Sequence, residues 1–229
     1  MVKVTLEQLL EAGAHLGHEA KKWNPKMAEY IYATQAGIHV FDLTKTKESL
    51  EEALIALEEK AAEGKIILFV GTKRQAKDII KETAEKLGMP YIVTRWLGGT
   101  LTNFNQILIS IRKLKDMKKA REGGEYNKYT KKERLLKDKE ILKLEHFLGG
   151  IIELTKTPDM LFIVDTAKEK IAVDEAYRMG IPVVGIVDTN GDPDKVEYPI
   201  PANDDAAKSI SLIVSLVAKA IEKGKKKVN

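Results

Sequence analysis

The 229-residue sequence has no cysteine, few aromatic residues (6%) and no long uninterrupted apolar run. The absence of cysteine excludes disulfide bonds and thiolate metal sites, and it is typical of proteins in a reducing compartment. No apolar run approaches the roughly 20 residues that span a bilayer, so we expect no membrane-spanning helix. Residues 1–7 lack the apolar core of a secretory signal, which predicts a cytoplasmic location.

Positive charge is unevenly distributed along the chain, although the net charge is only +4. Residues 104–155 contain 13 basic and 8 acidic side chains, and residues 219–229 contain 5 lysines and 1 glutamate. The rest of the chain is acidic, with 20 basic and 25 acidic groups. A mildly acidic body with a basic middle segment and a basic tail fits a protein that binds a polyanion by neutralising its phosphates.

Short apolar runs alternate with helical patterns before residue 104 and after residue 155. The runs at 66–70 and 160–164 are continuous, which is typical of strands in a parallel sheet that is covered on both faces. Apolar residues at helical spacing predict a helix over residues 42–62 and others after each strand. This alternation predicts an α/β fold in which helices flank a parallel sheet.

A long basic segment separates the two parts of this pattern. Apolar residues recur at spacings of three and four over residues 104–114 and again over 141–151, and Gly123-Gly124 lies between them. Two such seams predict an antiparallel coiled-coil hairpin that has an apolar base and a polar tip. We therefore divide the chain into a discontinuous α/β domain (1–103 and 156–229) and an inserted hairpin (104–155). Gly149-Gly150 interrupts the returning helix and predicts close packing or a bend.

Polar residues follow the predicted strands at Gly71-Thr72-Lys73, Asp165-Thr166 and Asp188-Thr189-Asn190. The carboxyl ends of parallel strands meet at one sheet edge, where ligands of such folds bind. Gly71-Thr72-Lys73 opens a helix, but it lacks the spacing of a phosphate-binding P-loop. A phosphate- or nucleotide-binding α/β enzyme that uses these loops is the minority alternative, because no nucleophile–base pair is evident.

Two groups of side chains raise a metal hypothesis that the sequence does not favour. His15 and His18 have no third ligand at the usual spacing nearby. The second group comprises the acidic residues Asp188, Asp192, Asp194, Asp204 and Asp205. Loop turns and helix caps explain these residues better than a magnesium site does, and Asn203 or Asp204 is expected to cap the last helix. We predict neither a metal ion nor a cofactor.

Several motifs, taken together and in order, resemble the ribosomal protein S2 family. They begin with His15-Leu16-Gly17-His18, Trp23-Asn24-Pro25-Lys26-Met27 and Phe69-Val70-Gly71-Thr72-Lys73. They continue with Arg95-Trp96-Leu97-Gly98-Gly99-Thr100-Leu101-Thr102-Asn103, Asp188-Thr189-Asn190 and Ile200-Pro201-Ala202-Asn203-Asp204-Asp205. The chain departs from the family pattern at Gly191, where cysteine is expected, and at Ala202, where glycine is expected.

The resemblance implies a structural, non-enzymatic protein of the small ribosomal subunit with a flavodoxin-like (Rossmann-like) domain. It implies binding to small-subunit ribosomal RNA between head and body on the solvent side, and support for the docking of ribosomal protein S1. The implied partners are this RNA and neighbouring ribosomal proteins, with no membrane and no small-molecule substrate. The inserted hairpin resembles the bacterial and organellar branch of the family.

Basic and polar side chains of four segments are the predicted RNA contacts, because Lys and Arg neutralise phosphates and aromatic rings stack on unpaired bases. The first loop and the loop after residue 70 contribute Lys21, Lys22, Trp23, Asn24, Lys26, Thr72, Lys73 and Arg74. The long motif contributes Arg95, Gly98, Gly99, Thr100, Thr102 and Asn103. The hairpin contributes Arg112, Lys115, Lys118, Arg121, Lys128, Lys131 and Lys132. Trp96 is better explained by packing, and Thr102 or Asn103 is expected to cap the first hairpin helix.

Overall fold

The computed structural model describes residues 3–227. Residues 1–2 of the segment searched for a secretory signal and residues 228–229 of the basic tail lie outside this range. The helices are α1 (Leu6–Glu11), α2 (Leu43–Ala62), α3 (Lys77–Leu87), α4 (Phe104–Glu122), α5 (Lys131–Leu148), α6 (Lys170–Met179) and α7 (Ala207–Lys226). The strands are β1 (Leu16–Glu19), β2 (Ile31–Gln35), β3 (Ile38–Phe41), β4 (Ile67–Val70), β5 (Tyr91–Ile92), β6 (Met160–Val164), β7 (Val183–Val187) and β8 (Tyr198–Pro201).

The main sheet is parallel and has the order β5-β4-β6-β7-β8. This is the flavodoxin-like strand order, so the predicted α/β class is confirmed. The chain enters at β4, extends to β5 on one side and then crosses to β6 on the other side. The carboxyl ends of β4 and β6 therefore flank the point at which the strand order reverses, where ligands of such folds bind.

Apolar layers cover both faces of this sheet because successive strand residues point to opposite sides. Ile67 and Phe69 pack in a layer with residues of α2, α3 and α7. Leu68 and Val70 belong to a second layer that also contains residues of α4, α5 and α6. Within residues 3–227, no helix combines the length and the apolar character needed to cross a membrane.

Helices α4 and α5 are the two helices predicted between residues 104 and 155. Ile107, Ile111, Leu114 and Ile141 are buried, so their apolar seams form part of the second layer. Ion pairs connect the two helices, including Lys118 with Glu145 at 2.6 Å, Lys113 with Glu140 and Arg121 with Asp138. The coiled-coil geometry and the domain boundaries stay predictions.

Local signals at the helix starts were only partly reliable. Thr5 and Gln8 have the spacing of a capping box, which predicts a cap for α1. This prediction is confirmed, since the two residues exchange hydrogen bonds. The predicted side-chain cap of α4 is wrong, because Asn103 at that position makes no capping bond. The predicted cap of α7 is also wrong: Asn203 Oδ1 accepts from the amides of Asp205 and Ala206, ahead of the helix start.

A three-stranded antiparallel sheet with the order β1-β3-β2 precedes the main sheet. The hairpin of β2 and β3 agrees with the apolar runs around residues 35–37 that predict it. Strand β1 was not predicted, because its sequence Leu-Gly-His-Glu has no alternating apolar pattern. Its position matters for the site, because His18 lies on β1 and approaches the carboxyl ends of β7 and β8.

Candidate nucleic-acid interface

The hairpin carries the largest group of predicted RNA contacts. Arg112, Lys128, Lys131 and Lys132 are exposed, and none of them forms an ion pair with another described residue. The other three are partly neutralised: Lys115 lies 3.1 Å from Glu153, Lys118 lies 2.6 Å from Glu145 and Arg121 lies 3.5 Å from Asp138. The unpaired cations therefore lie mainly toward the tip, at Lys128, Lys131 and Lys132.

Aromatic side chains hold the bend between α4 and α5. The Lys137 ammonium lies 4.6 Å from the ring centre of Tyr129 and 5.1 Å from that of Tyr126. The hydroxyl of Tyr126 donates to the carbonyl of Met117 at 3.2 Å, and Thr130 and Glu133 form a capping box at the start of α5. The tip cations Lys128, Lys131 and Lys132 thus extend from an ordered bend.

The loop at residues 21–26 presents three lysines and a tryptophan. Lys21, Lys22 and Lys26 are exposed, and the side chain of Trp23 is partly exposed beside the imidazole of His39. Lys22 is 3.3 Å from Glu19, and Lys26 is 2.6 Å from Asp194 and 3.0 Å from Asp192. Asn24 is engaged within the loop, where its side chain accepts from the Lys26 amide.

Lys73, a predicted RNA contact, is surrounded by carboxylates at the carboxyl edge of the sheet. Its ammonium lies 2.6 Å from Asp204, 2.6 Å from Asp205 and 3.4 Å from Asp165, and only 13% of its side chain is exposed. Burial acts to lower the pKa of Lys73, but the hydrogen bonds to Asp204 and Asp205 outweigh it and raise the pKa. Lys73 is therefore a cation inside the fold.

Neighbouring groups at this edge carry more negative than positive charge. Burial, together with the charges of Asp188 and Asp165, raises the pKa of Asp204, and the Lys73 ammonium only partly opposes this effect. Contact with the Asp188 carboxylate raises the pKa of His18 to about 8. Asp205, which is more exposed, behaves in the opposite way: its hydrogen bond to Lys73 lowers its pKa.

Thr72 is also engaged inside the molecule, whereas Arg74 beside it is exposed. The Thr72 hydroxyl donates to Glu169, which is buried at the start of α6 and whose pKa is raised by burial. Asp165 has a left-handed backbone (φ 67°), a conformation that asparagine and aspartate tolerate better than most residues. Its carboxylate accepts from the Lys168 amide at 2.9 Å and so fixes the turn that brings Glu169 toward Thr72.

The long motif at residues 95–103 folds around a single carboxylate, that of Glu175 on α6. Glu175 accepts from the indole N–H of Trp96 at 3.1 Å and from the Gly99 amide at 2.7 Å. It also accepts from the amides of Leu101 and Thr102 and from the Thr102 hydroxyl. Burial of Glu175 acts to raise its pKa, but these donors outweigh burial and lower it. Gly99 has φ +87°, which permits the turn that points its amide at the carboxylate.

The predicted contacts of this motif thus divide into two groups. Arg95 and Asn103 are exposed, and Gly98 is exposed with open space around it. Thr100 is buried, and Gly99 and Thr102 are held by Glu175. Trp96 is buried in the second apolar layer, as its packing interpretation requires.

Sequence reasoning missed Glu175, which organises the long motif, and it placed His18 and the aspartates in two separate groups. Glu175 occupies the same helical face as the buried Ala172 and Ala176, and a charged residue on an apolar face is the signal that identifies it. Sequence spacing connects His18 only with His15, because its acidic neighbours Asp188 and Asp204 follow β7 and β8, far along the chain. Ligand atoms of His18, Asp188 and Asp204 lie within 4.8 Å of one another.

Comparison with known proteins gives a consistent result over almost the whole chain. Residues 9–224 match the family model described as "Ribosomal protein S2". A relative from Coprothermobacter proteolyticus, named "Small ribosomal subunit protein uS2", is 50% identical over 225 residues. The match covers 98% of this chain and 84% of that protein.

Proposed function

Because the chain belongs to the ribosomal protein S2 family, whose members are structural proteins of the small ribosomal subunit, we propose that it binds small-subunit ribosomal RNA through exposed cations of its hairpin and loops. The observation that carries this proposal is the exposure of Arg112, Lys128, Lys131 and Lys132 without ion-pair partners among residues 3–227. Such cations can neutralise phosphates without first breaking an ion pair inside the protein.

Exposed cations outside the hairpin extend the proposed contact set. Lys21, Arg74 and Arg95 are exposed and form no ion pair with a described residue. An arginine can also stack on an unpaired base, and the partly exposed Trp23 offers a second stacking surface. We propose these four side chains as contacts of the globular part.

Other predicted contacts support the RNA-binding loops from within. Lys73, Thr72, Gly99, Thr100 and Thr102 already bond to protein groups. RNA would have to break these bonds, some of them buried, in order to contact these groups. We propose that they set the conformation of the loops that present Arg74, Arg95 and Asn103.

We also propose that the protein lies between the head and the body of the small subunit, contacts neighbouring ribosomal proteins and supports the docking of ribosomal protein S1. Membership of the ribosomal protein S2 family supports this part of the proposal. The enzyme alternative is disfavoured by electrostatics, because Asp165, Asp204 and Asp205 surround the lysine that would otherwise face a phosphate.

A charge-reversal experiment tests the RNA contacts. The variant Arg121→Glu, Lys128→Glu, Lys131→Glu, Lys132→Glu should retain the melting temperature of the wild type. Its binding to isolated small-subunit RNA should depend less steeply on salt, with a slope of log affinity against log salt concentration that is smaller by about three to four. The matched control reverses four exposed lysines on α3 and α7: Lys77, Lys81, Lys86 and Lys208. Equal loss of affinity and slope in both variants would mean that net charge, and not the hairpin tip, governs binding.

A further inference from the structure

Three potential metal ligands meet at the carboxyl edge of the sheet. His18 lies on β1, Asp188 follows β7 and Asp204 follows β8, and one ligand atom of each lies within 4.8 Å of the others. Each of the two carboxylate residues is only 1% exposed. Because three separate segments supply the ligands, the fold itself determines their spacing.

One ligand atom of this group is buried and has no hydrogen-bond partner among the described residues. Asp204 Oδ1 lies 2.6 Å from the Lys73 ammonium, whereas Asp204 Oδ2 receives no donor from residues 3–227. A buried carboxylate oxygen without a donor is unfavourable, because it has lost its hydrogen bonds to water and gained none from the protein. The fold retains this unpartnered oxygen beside an imidazole and a second carboxylate, which is an arrangement that a cation would complete.

The contact between His18 and Asp188 also contains a buried polar atom that forms no hydrogen bond with residues 3–227. Nδ1 of His18 is 2.9 Å from Asp188 Oδ1, yet within the described part of the chain no group is aligned to form a hydrogen bond with Nδ1. Asp188 Oδ1 accepts instead from the amide and the hydroxyl of Thr189, and Asp188 Oδ2 accepts from the Asp204 amide. Two ligand atoms at this separation are close to the spacing of roughly 3.3 Å expected for neighbouring ligands of a tetrahedral zinc ion.

The charge balance of the cluster also favours a cation. Four carboxylates, those of Asp165, Asp188, Asp204 and Asp205, surround the single Lys73 ammonium and the His18 ring. A divalent ion would supply the missing positive charge beside the buried carboxylates of Asp188 and Asp204.

We propose that His18, Asp188 and Asp204 bind a divalent transition-metal cation, with zinc as the best chemical match. Imidazole is a good ligand for zinc, whereas magnesium prefers an all-oxygen shell that includes several waters. His18 would bind through Nδ1. Its Nε2 lies 3.5 Å from Asp205 Oδ2, which can hold the required tautomer in the way that outer carboxylates do at zinc sites.

The consequence is a stabilising cross-link between three segments. The metal would tie β1, and through it the three-stranded sheet, to the ends of β7 and β8. Three protein ligands leave a fourth position for water. This inference is independent of RNA binding, because it rests on ligand spacing and on buried unpartnered atoms.

Zinc titration of the tag-free, chelator-treated full chain tests the proposal. Calorimetry should give one zinc per chain, and zinc at about 100 times its Kd should raise the melting temperature by roughly 5–10 °C. Magnesium should bind at least tenfold more weakly. Absence of zinc binding by the wild-type chain would overturn the proposal, and magnesium affinity equal to that of zinc would overturn the transition-metal assignment.

Two histidine variants locate the site. His18→Ala should weaken zinc binding at least tenfold, whereas His15→Ala should leave it unchanged. His15 is a matched control, because it lies three residues away with an unpartnered buried Nδ1 but outside the ligand group. If His18→Ala does not fold, His18→Gln provides a variant closer to the original side-chain volume. Equal effects at both histidines would contradict the assignment.

Discussion

The carboxylate of Glu175 accepts a hydrogen bond from the indole N–H of Trp96 at 3.1 Å, across 79 positions of sequence. Both side chains are buried, and the same carboxylate holds the amides of Gly99, Leu101 and Thr102. Glu175 therefore connects α6 to the segment that leads from the sheet into α4. The orientation of Arg95, next to Trp96, depends on this connection.

Replacing Glu175 by Gln should destabilise the protein by about 2–4 kcal/mol, because the amide loses the charge and points a donor at other donors. Thermal unfolding followed by circular dichroism measures this loss. Glu153→Gln is the control, since the Glu153 side chain is 84% exposed, and its effect should stay within about 0.5 kcal/mol. Equal stability of the two variants would show that the Glu175 contacts do not hold the segment.

Two adjacent glycines provide a second test of packing. A Cβ at Gly150 would lie 2.2 Å from the Tyr91 carbonyl oxygen, whereas a Cβ at Gly149 would meet nothing closer than 3.7 Å. Gly150→Ala should destabilise the protein by about 1–3 kcal/mol or more through overpacking. Gly149→Ala should be neutral or slightly stabilising, since Gly149 has helical backbone angles. Denaturant midpoints distinguish the two, and an equal effect would contradict the close approach of Gly150 to β5.

Lysines at two of the predicted RNA-contact positions should behave differently from each other. Lys73→Met should cost about 3–5 kcal/mol, because it leaves buried carboxylates without their cation. Lys21→Met should be nearly neutral for stability, since its side chain is exposed and forms no ion pair with a described residue. It should lower the slope of log affinity against log salt concentration for RNA binding by about one. A thermal melt and a salt titration of each variant, below its melting temperature, check this. A Lys73→Met variant of normal stability would refute the internal role of Lys73.

Acid should weaken one connection between helices α2 and α7. Hydrogen bonds from Lys227 and Lys223 lower the pKa of Glu58 to about 2, from its ordinary 4.5. A lowered pKa gives stability that is present above about pH 4.5 and is lost as the pH falls toward 2. The stability difference between wild type and Glu58→Gln should therefore be largest above pH 5 and shrink toward pH 3, as measured by unfolding at fixed ionic strength. A constant difference over this range would exclude the titration of Glu58 as the cause.

The parts of the fold that local chemistry determines could be predicted from the sequence. The Thr5–Gln8 capping box and the apolar run at residues 66–70 depend on neighbouring residues, and both predicted their structures correctly. Gly149-Gly150 predicted close packing or a bend because glycine is costly within a helix, and Gly150 does approach the Tyr91 carbonyl closely. Alternating strands and helices with right-handed crossovers restrict the strand order to a few alternatives, but they do not decide among them.

The long-range polar contacts could not be predicted in the same way. His18 and Asp188 are 170 positions apart, and nothing near either residue indicates the other. Lys73 has the same local sequence context whether it faces RNA or the carboxylate of Asp204. Such pairings depend on the three-dimensional proximity of strand ends, which a pattern of hydrophobic residues does not encode.

The most direct test of the central claim is sedimentation of the purified chain with small ribosomal subunits that lack their own copy of this protein. At moderate salt the wild-type chain should co-sediment at about one copy per subunit, and the hairpin-tip reversal of Arg121, Lys128, Lys131 and Lys132 should reduce that occupancy while the α3–α7 control retains it. Absence of the wild-type chain from the subunit fraction would contradict its proposed place in the ribosome. Full occupancy by the hairpin-tip variant would contradict RNA anchoring through the tip.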